Sequence, residues 1–484
     1  MAGVLNAMLW TGFGGISITF IKFVVLVIAA RLISPEQFGI VSIALLLSSF
    51  FTVVVKNGFI TALVRKKEVS DNEFSIINNT CFLLGSILTI ICFLFSSSIG
   101  EIFGNSEIIV EIRMISVIFI IIGMSTVPHS IVLRNKDFKE LTRILVLSCF
   151  FGYGLVGIIF AYAGYQSKSL ILGLIFQELI ALILMSFNAK IKWTANFNLN
   201  KTMEILKFAY ANSLANLLNF VASEGDKVIV GSMLGLKSLG FYGRSYQIMS
   251  LPSTYLGKVV DTVFFPIISS INNNDKRISD MFLKSFRVIF ILFAPLSMLI
   301  INFSEPIVLL LLGNNWLSVA PLIEILAIGM VFKLLHKLNS SLIKAKGGKY
   351  DRTKVQFVYA FISVMGCIYA IKSGFGIEGV AIAILIAVIV VFILLTELSL
   401  SIIGFKNKKT RLLYLFGFSI HLLDWFIYKI IIMLLMPLAS SNIGLGLSAM
   451  ISFVTITFMN IFIYRITYNG DYIFFKRRLL TISK

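Results

Sequence analysis

Two runs of polar residues stand out in a chain that is otherwise mostly apolar. Asn212, Asn216, Asn219, Ser223 and Asp226 recur at spacings of four, three, four and three, with Lys227 beside the last of them. On a helix such spacing draws a single polar stripe down one face. Beyond a predicted turn from Gly235 to Gly240 come Gln247, Ser250, Thr254, Lys258 and Asp261, which again share one helical face. Amides and hydroxyls offer the donors and acceptors that sugar hydroxyls need, and an ammonium group acts on an anion as a point charge. Two facing stripes therefore predict a wet cleft suited to a polar, negatively charged molecule.

Magnitudes argue against these groups facing lipid. Each Lys, Arg or Asp at the centre of a membrane helix costs roughly 2.5–3.5 kcal/mol even on a lenient scale. Asp226, Lys227, Lys258 and Asp261 together would cost on the order of 10 kcal/mol in contact with hydrocarbon. Groups that expensive belong in a bundle interior or along a pathway. Lys258 and Asp261 at i,i+3 could simply pair with each other, but that leaves the three asparagines without a role.

Lys22 and Lys56 add two cations within apolar runs. The alternative for Lys22 is that it snorkels to one face or pairs with Glu224 or Asp226. Glu224, Asp226, Asp261 and Glu324 are the carboxylates at depth, and burial makes each a candidate for exchanging an ion as access alternates. Arg113 and Arg244 fall near the outer ends of their helices and read as lining an outer mouth. Lys333, Lys337 and Lys344 read as a headgroup-facing edge. His421 and Asp424, at i,i+3, are either a relay pair or a packing device. His129 and His336 are isolated, and Cys81, Cys92, Cys149 and Cys367 show no CxxC spacing. No metal or cofactor is expected.

The elements that must position these residues follow from composition. Of 484 residues, 58% are hydrophobic and 13% charged, with mean hydropathy +0.95. That excludes an ordinary soluble globule. Apolar runs of helical length predict an all-α polytopic membrane protein rather than a β-barrel. A net charge of +19 would suggest nucleic acid in a soluble protein. Here most of the basic residues fall in alternate loops, at 64–76, 134–143, 188–207, 271–287, 344–354, 404–411 and 465–484. That is the positive-inside pattern, and it predicts about 14 transmembrane helices with both termini cytoplasmic. The first helix lacks a preceding positive residue and carries Lys22, so it reads as a span and not as a cleaved leader.

Helices are predicted near 9–31, 39–63, 78–98, 108–127, 144–163, 169–187, 208–235, 241–270, 286–303, 319–343, 355–371, 378–403, 412–435 and 443–465. The first two repeat the seventh and eighth. Thr11, Gly15, Thr19 and Lys22 lead into a predicted turn from Arg31 to Gly39, followed by Ser42, Ser49, Thr52 and Lys56 on one face. Gly39 and Gly240 occupy equivalent places in the two copies. A six-helix unit used twice predicts two lobes related by a pseudo-twofold axis, with the site between them. The lobes would span 1–200 and 201–404, and 405–484 would form two appended helices and a basic tail. Pro128, Gly257, Pro252, Pro266 and Pro295 are candidate kinks.

Ala30 to Gly39 (Ala-Arg-Leu-Ile-Ser-Pro-Glu-Gln-Phe-Gly) and Asp226 to Tyr246, with Leu251-Pro252 and Phe264-Phe265-Pro266, resemble the Wzx-like polysaccharide-transporter flippases of the multidrug/oligosaccharidyl-lipid/polysaccharide exporter superfamily. The resemblance spans roughly residues 1–400 and places Asp226 where the family commonly carries an acidic residue. It implies a transporter, not an enzyme, that moves a polyprenyl-pyrophosphate-linked oligosaccharide across the bacterial inner membrane by alternating access of a cationic, amide-rich cavity. Lys22, Lys56, Lys227 and Lys258 would then meet the pyrophosphate, and Asn212, Asn216, Asn219, Gln247 and Thr254 the sugars. Expected partners are membrane lipids and surface-glycan assembly proteins such as a glycan polymerase, not nucleic acid. The alternatives are a drug or cation antiporter of the same superfamily, and a membrane-embedded glycan polymerase or ligase. The first favours carboxylates over lysines in its cavity. The second needs a long outside loop that is not evident here.

Overall fold

The computed structural model of the chain describes residues 2–66, 68–189, 199–260, 264–270, 275–403, 453–455 and 457. Every regular element among them is a helix. Nine helical stretches among the described residues are long and apolar enough to cross a membrane. Each of the first twelve predicted helices has a counterpart. The predicted helices 412–435 and 443–465, with His421 and Asp424, lie outside the described residues apart from a few positions near 455.

The chain begins with α1 (Ala2–Leu32), α2 (Pro35–Phe51), a π-helical segment (Thr52–Lys56) and α3 (Asn57–Arg65). The break after α1 is narrower than the predicted turn: it falls at Ile33 and Ser34. Pro35 opens α2 at its first turn, where a missing N–H costs nothing, and Ser34 Oγ accepts from the Gln37 amide at 3.4 Å. Next come α4 (Asp71–Leu94), α5 (Ser96–Ile102), α6 (Ile108–Arg134), α7 (Phe138–Ser148), a second π-helical segment (Cys149–Val156), α8 (Gly157–Tyr162) and α9 (Gln166–Ala189). Ser70 and Glu73 close a capping box at the start of α4, and Asp137 caps α7.

Helix α10 (Leu199–Val259) carries both polar runs and is broken at Gly235, where φ is 82°. Only glycine takes that conformation without strain. The predicted turn from Gly235 to Gly240 thus contracts to a single residue, and helix resumes at Leu236. Gly39 and Gly240 are not turn residues. Each lies inside a helix, Gly39 against the Leu236 carbonyl and Gly240 against the Pro35 carbonyl.

After α11 (Phe265–Ser270) and α12 (Asp275–Asn302) the connection forms α13 (Ser304–Leu311) and a 3-10 turn (Asn314–Val319). Trp316 in that turn is fully buried. Its Nε1–H donates to the Ala30 carbonyl at 2.8 Å, and its ring meets Phe38 and Phe241 edge-on. The chain ends its described course with α14 (Ala320–Ala345), α15 (Lys349–Lys372) and α16 (Gly376–Ile402).

Packing divides the chain into two compact units. The first comprises 1–247, 308–322 and 356–384; the second takes 248–307, 323–355 and 385–484. In the first, Leu9, Phe13, Ile16 and Phe20 form an exposed apolar stripe on α1, as a lipid-facing surface requires. The second unit is built on aromatic packing of Phe282, Phe286, Phe290 and Phe392 with Met330 and Leu334. Its buried Asn339 amide donates to Thr396 at 2.9 Å.

Candidate functional site

Many hydroxyls on the predicted stripes spend their proton on their own helix. Thr11 donates to Ala7, Thr19 to Gly15, Ser42 to Phe38, Thr52 to Ser48 and Thr254 to Ser250. This back-bonding satisfies a hydroxyl in an apolar setting. Thr254 is also exposed. The charged residues carry the more telling geometry, and most of it lies in the first unit.

Lys22 projects from α1 to within 5.6 Å of the Tyr153 ring centroid. No carboxylate pairs with it among the described residues, so neither Glu224 nor Asp226 is its partner. Tyr153 is presented by the second π-helical segment, a geometry that adds a residue per turn and recurs at functional sites. That segment is pressed onto α9. Gly152 lies against the backbone of Gln177 with no space for a side chain, and a methyl at Gly173 would come within 3.3 Å of the Tyr153 Cα.

Arg244 lies within electrostatic range of the same tyrosine. Its side chain is buried at 3% exposure. The guanidinium stands 4.6 Å from the Phe38 ring centroid and donates through Nη1 to Gln247. Its Nε–H is buried without a partner. No described carboxylate neutralises it. Lys22 over the buried Tyr153 ring and Arg244 with its unpartnered Nε–H thus leave donors to spare for an anion.

The other cations are engaged. Lys56 is buried, ends the first π-helical segment and faces Glu178 of α9 at 3.6 Å. Lys227 pairs with Glu224 at 2.5 Å, one turn away on the same helix, and lies 5.5 Å from the Tyr246 ring centroid. Asp226, at 4% exposure, accepts from the Tyr242 hydroxyl at 2.5 Å and from the Lys227 amide at 2.9 Å. Tyr246 and Tyr359 share a hydrogen bond close by. Asp226 is therefore ringed by phenols.

Glu324 belongs to the second unit and accepts from Ser304 at 2.5 Å. Arg113 is exposed, donates to Ser96 at 3.0 Å and lies over Phe93. Asn212, Asn216, Asn219 and Lys258 sit on the α10 backbone, but their side chains lie outside the described residues, as does Asp261 entirely. Among the described residues no three His, Cys, Asp or Glu side chains gather to hold a metal. Sequence reasoning passed over Tyr153, Glu178 and Tyr242. The run Gly-Phe-Tyr-Gly-Arg that ends at Arg244 held one signal, a tyrosine two residues before an arginine between close-packing glycines.

An all-helical, multi-span chain with cations and amides buried inside defines a membrane transporter fold, and comparison with solved structures supports that class. The lipid II flippase MurJ in an inward closed conformation superposes with a TM-score of 0.76 at 16% identity, covering 94% of this chain and 99% of MurJ. An inward-facing multidrug resistance MATE family transporter of the MOP superfamily gives 0.67 at 15% identity, covering 80% and 94%. Both are two-lobed multi-span transporters. Within that class, residues 28–321 match the polysaccharide biosynthesis protein family, and the chain belongs to it. The lipopolysaccharide biosynthesis protein WzxC of Escherichia coli is 22% identical over 81% of this chain and 78% of its own length. The teichuronic acid biosynthesis protein TuaB of Bacillus subtilis is 21% identical over 71% of each.

Proposed function

We propose that this protein is a flippase moving a polyprenyl-pyrophosphate-linked oligosaccharide across the bacterial inner membrane, with both termini cytoplasmic. The observation that carries the reading is a half-buried Lys22 over the Tyr153 ring and a buried Arg244, neither with a carboxylate counter-ion among the described residues. An uncompensated cation at membrane depth costs roughly 2.5–3.5 kcal/mol, and an anionic headgroup supplies the missing charge. The similarity to MurJ and to surface-polysaccharide proteins supports the same cargo class.

In this reading the pyrophosphate meets Arg244 and Lys22, with Lys56 and Lys258 as further contacts. Asn212, Asn216, Asn219, Gln247 and Thr254 bind sugar hydroxyls. Lys227 contributes less because Glu224 holds it. The lobes, 1–200 and 201–404, alternate access about the cavity, and 405–484 is appended to them. Asp226 is the leading candidate for ion coupling, ahead of Glu224, Asp261 and Glu324, because it is buried with no cationic side chain bonded to it. Surface-glycan assembly proteins are its partners.

Lys22→Gln and Arg244→Gln should each abolish surface glycan in a complemented deletion strain while the protein stays in the membrane. Unchanged glycan in both would reject the reading. A drug or cation antiporter, the second reading, would instead lose cation efflux and keep glycan export.

A further inference from the structure

We infer that Glu178 is an exchangeable counter-ion, neutralising Lys56 until a phosphate headgroup arrives and then giving it up. Two ion pairs in the first unit differ in a way that points to this. Lys227 and Glu224 are neighbours on one helix, in contact at 2.5 Å, so the pair forms wherever that helix forms. Lys56 and Glu178 come from separate elements and stand 3.6 Å apart, beyond good hydrogen-bond length.

Both partners hold capacity in reserve. A lysine has three donors, and Glu178 is the one carboxylate among the described residues that pairs with Lys56. Glu178 gains one further contact, the Gln177 amide at 3.4 Å. That amide stays with the carboxylate if Lys56 leaves, and the Glu178 side chain is 22% exposed, so separation does not strand it fully buried. A phosphate outcompetes a carboxylate here because it brings more charge and more acceptor oxygens.

The position is right for exchange. Gln177, next to Glu178, lies against Gly152, and Tyr153 follows in the same π-helical segment. The segment that carries Tyr153 therefore packs on the helix that carries Glu178. Lys56 itself ends the other π-helical segment, where a wide turn can reset by one residue more readily than regular α-helix. An anion seated on Arg244 and Lys22 would be offered Lys56 from one side, with Glu178 moving back toward Gln177.

This inference rests on the flippase reading. Its test measures binding of polyprenyl diphosphate to the full-length protein in nanodiscs, for wild type, Glu178→Gln, Lys56→Gln and the double variant, each checked for thermal stability. Removing the competitor should tighten binding about threefold to tenfold in Glu178→Gln, the worth of a weak ion pair. Lys56→Gln should weaken it, and in that background Glu178→Gln should change nothing. A merely structural Glu178 predicts weaker or unaltered binding in Glu178→Gln, or a gain that survives without Lys56. Either overturns the inference and leaves the flippase reading standing. No binding by wild type would overturn both.

Discussion

Gly39 and Gly240 face each other across a reciprocal helix contact: Gly39 takes the carbonyl of Leu236, and Gly240 takes the carbonyl of Pro35. In each helix the residue whose carbonyl makes the contact lies four residues before the glycine, so the two contacts exchange under one shift along the chain. That is how a contact between repeated units behaves when a twofold axis passes through it. The equivalence of the two glycines in sequence thus acquires a physical cause: each is small because the other copy's backbone occupies the space a Cβ would need.

Gly39→Ala and Gly240→Ala should each destabilise the protein by about 1–3 kcal/mol through overpacking against backbone. Gly12→Ala is the control, since nothing lies within 4 Å of its Cβ position. Thermal unfolding in detergent should show losses for the first two and none for the control, and the double substitution should cost less than the sum because the contacts are shared.

Trp316 staples the turn after α13 to the end of α1. Trp316→Phe keeps most of the packing against Phe38 and Phe241 but loses the bond to Ala30, and should cost about 1 kcal/mol. Trp316→Ala, which empties a fully buried site, should cost about 3–5 kcal/mol. Denaturation curves on the two variants separate the contributions.

Tyr242 and Asp226 are a buried donor and a buried carboxylate. Tyr242→Phe removes a hydrogen bond to a charged group and should lower stability by about 1.5–3 kcal/mol. If Asp226 couples transport to an ion gradient, Asp226→Asn will abolish the gradient dependence of flipping in proteoliposomes while Tyr242→Phe retains it. Equal gradient dependence in wild type and Asp226→Asn would remove Asp226 from that role.

Lys227 and Glu224 form a local, half-buried pair. Glu224→Gln should cost under about 1 kcal/mol of stability, as part-exposed i,i+3 pairs do. Glycan export should fall far less in Lys227→Gln than in Lys22→Gln, because Lys227 is already neutralised in place. A complementation assay ranks the two.

Much of the architecture was readable from the chain because membrane helices announce themselves. Each must bury its own backbone hydrogen bonds and present apolar side chains to lipid, so α1, α4, α6, α9 and α16 were all visible as long apolar runs. Turn lengths were less legible. Proline and glycine near 35–39 and 235–240 suggested wide turns, yet a serine cap and one positive-φ glycine do the work of each. A glycine needed for close approach looks the same in sequence as a glycine needed for a turn.

The sequence alone determined that this is a multi-span membrane protein, that charges and amides are carried inside it, and that Asp226 and Lys22 are too costly to face lipid. These follow from composition and helical periodicity, which are local properties. Only the tertiary structure decided which charges remain available. It paired Lys227 with Glu224 and Lys56 with Glu178, enclosed Asp226 among tyrosines, and buried Arg244 over the Phe38 ring. Neutralisation depends on distances between side chains on different helices, and periodicity along one helix does not specify them.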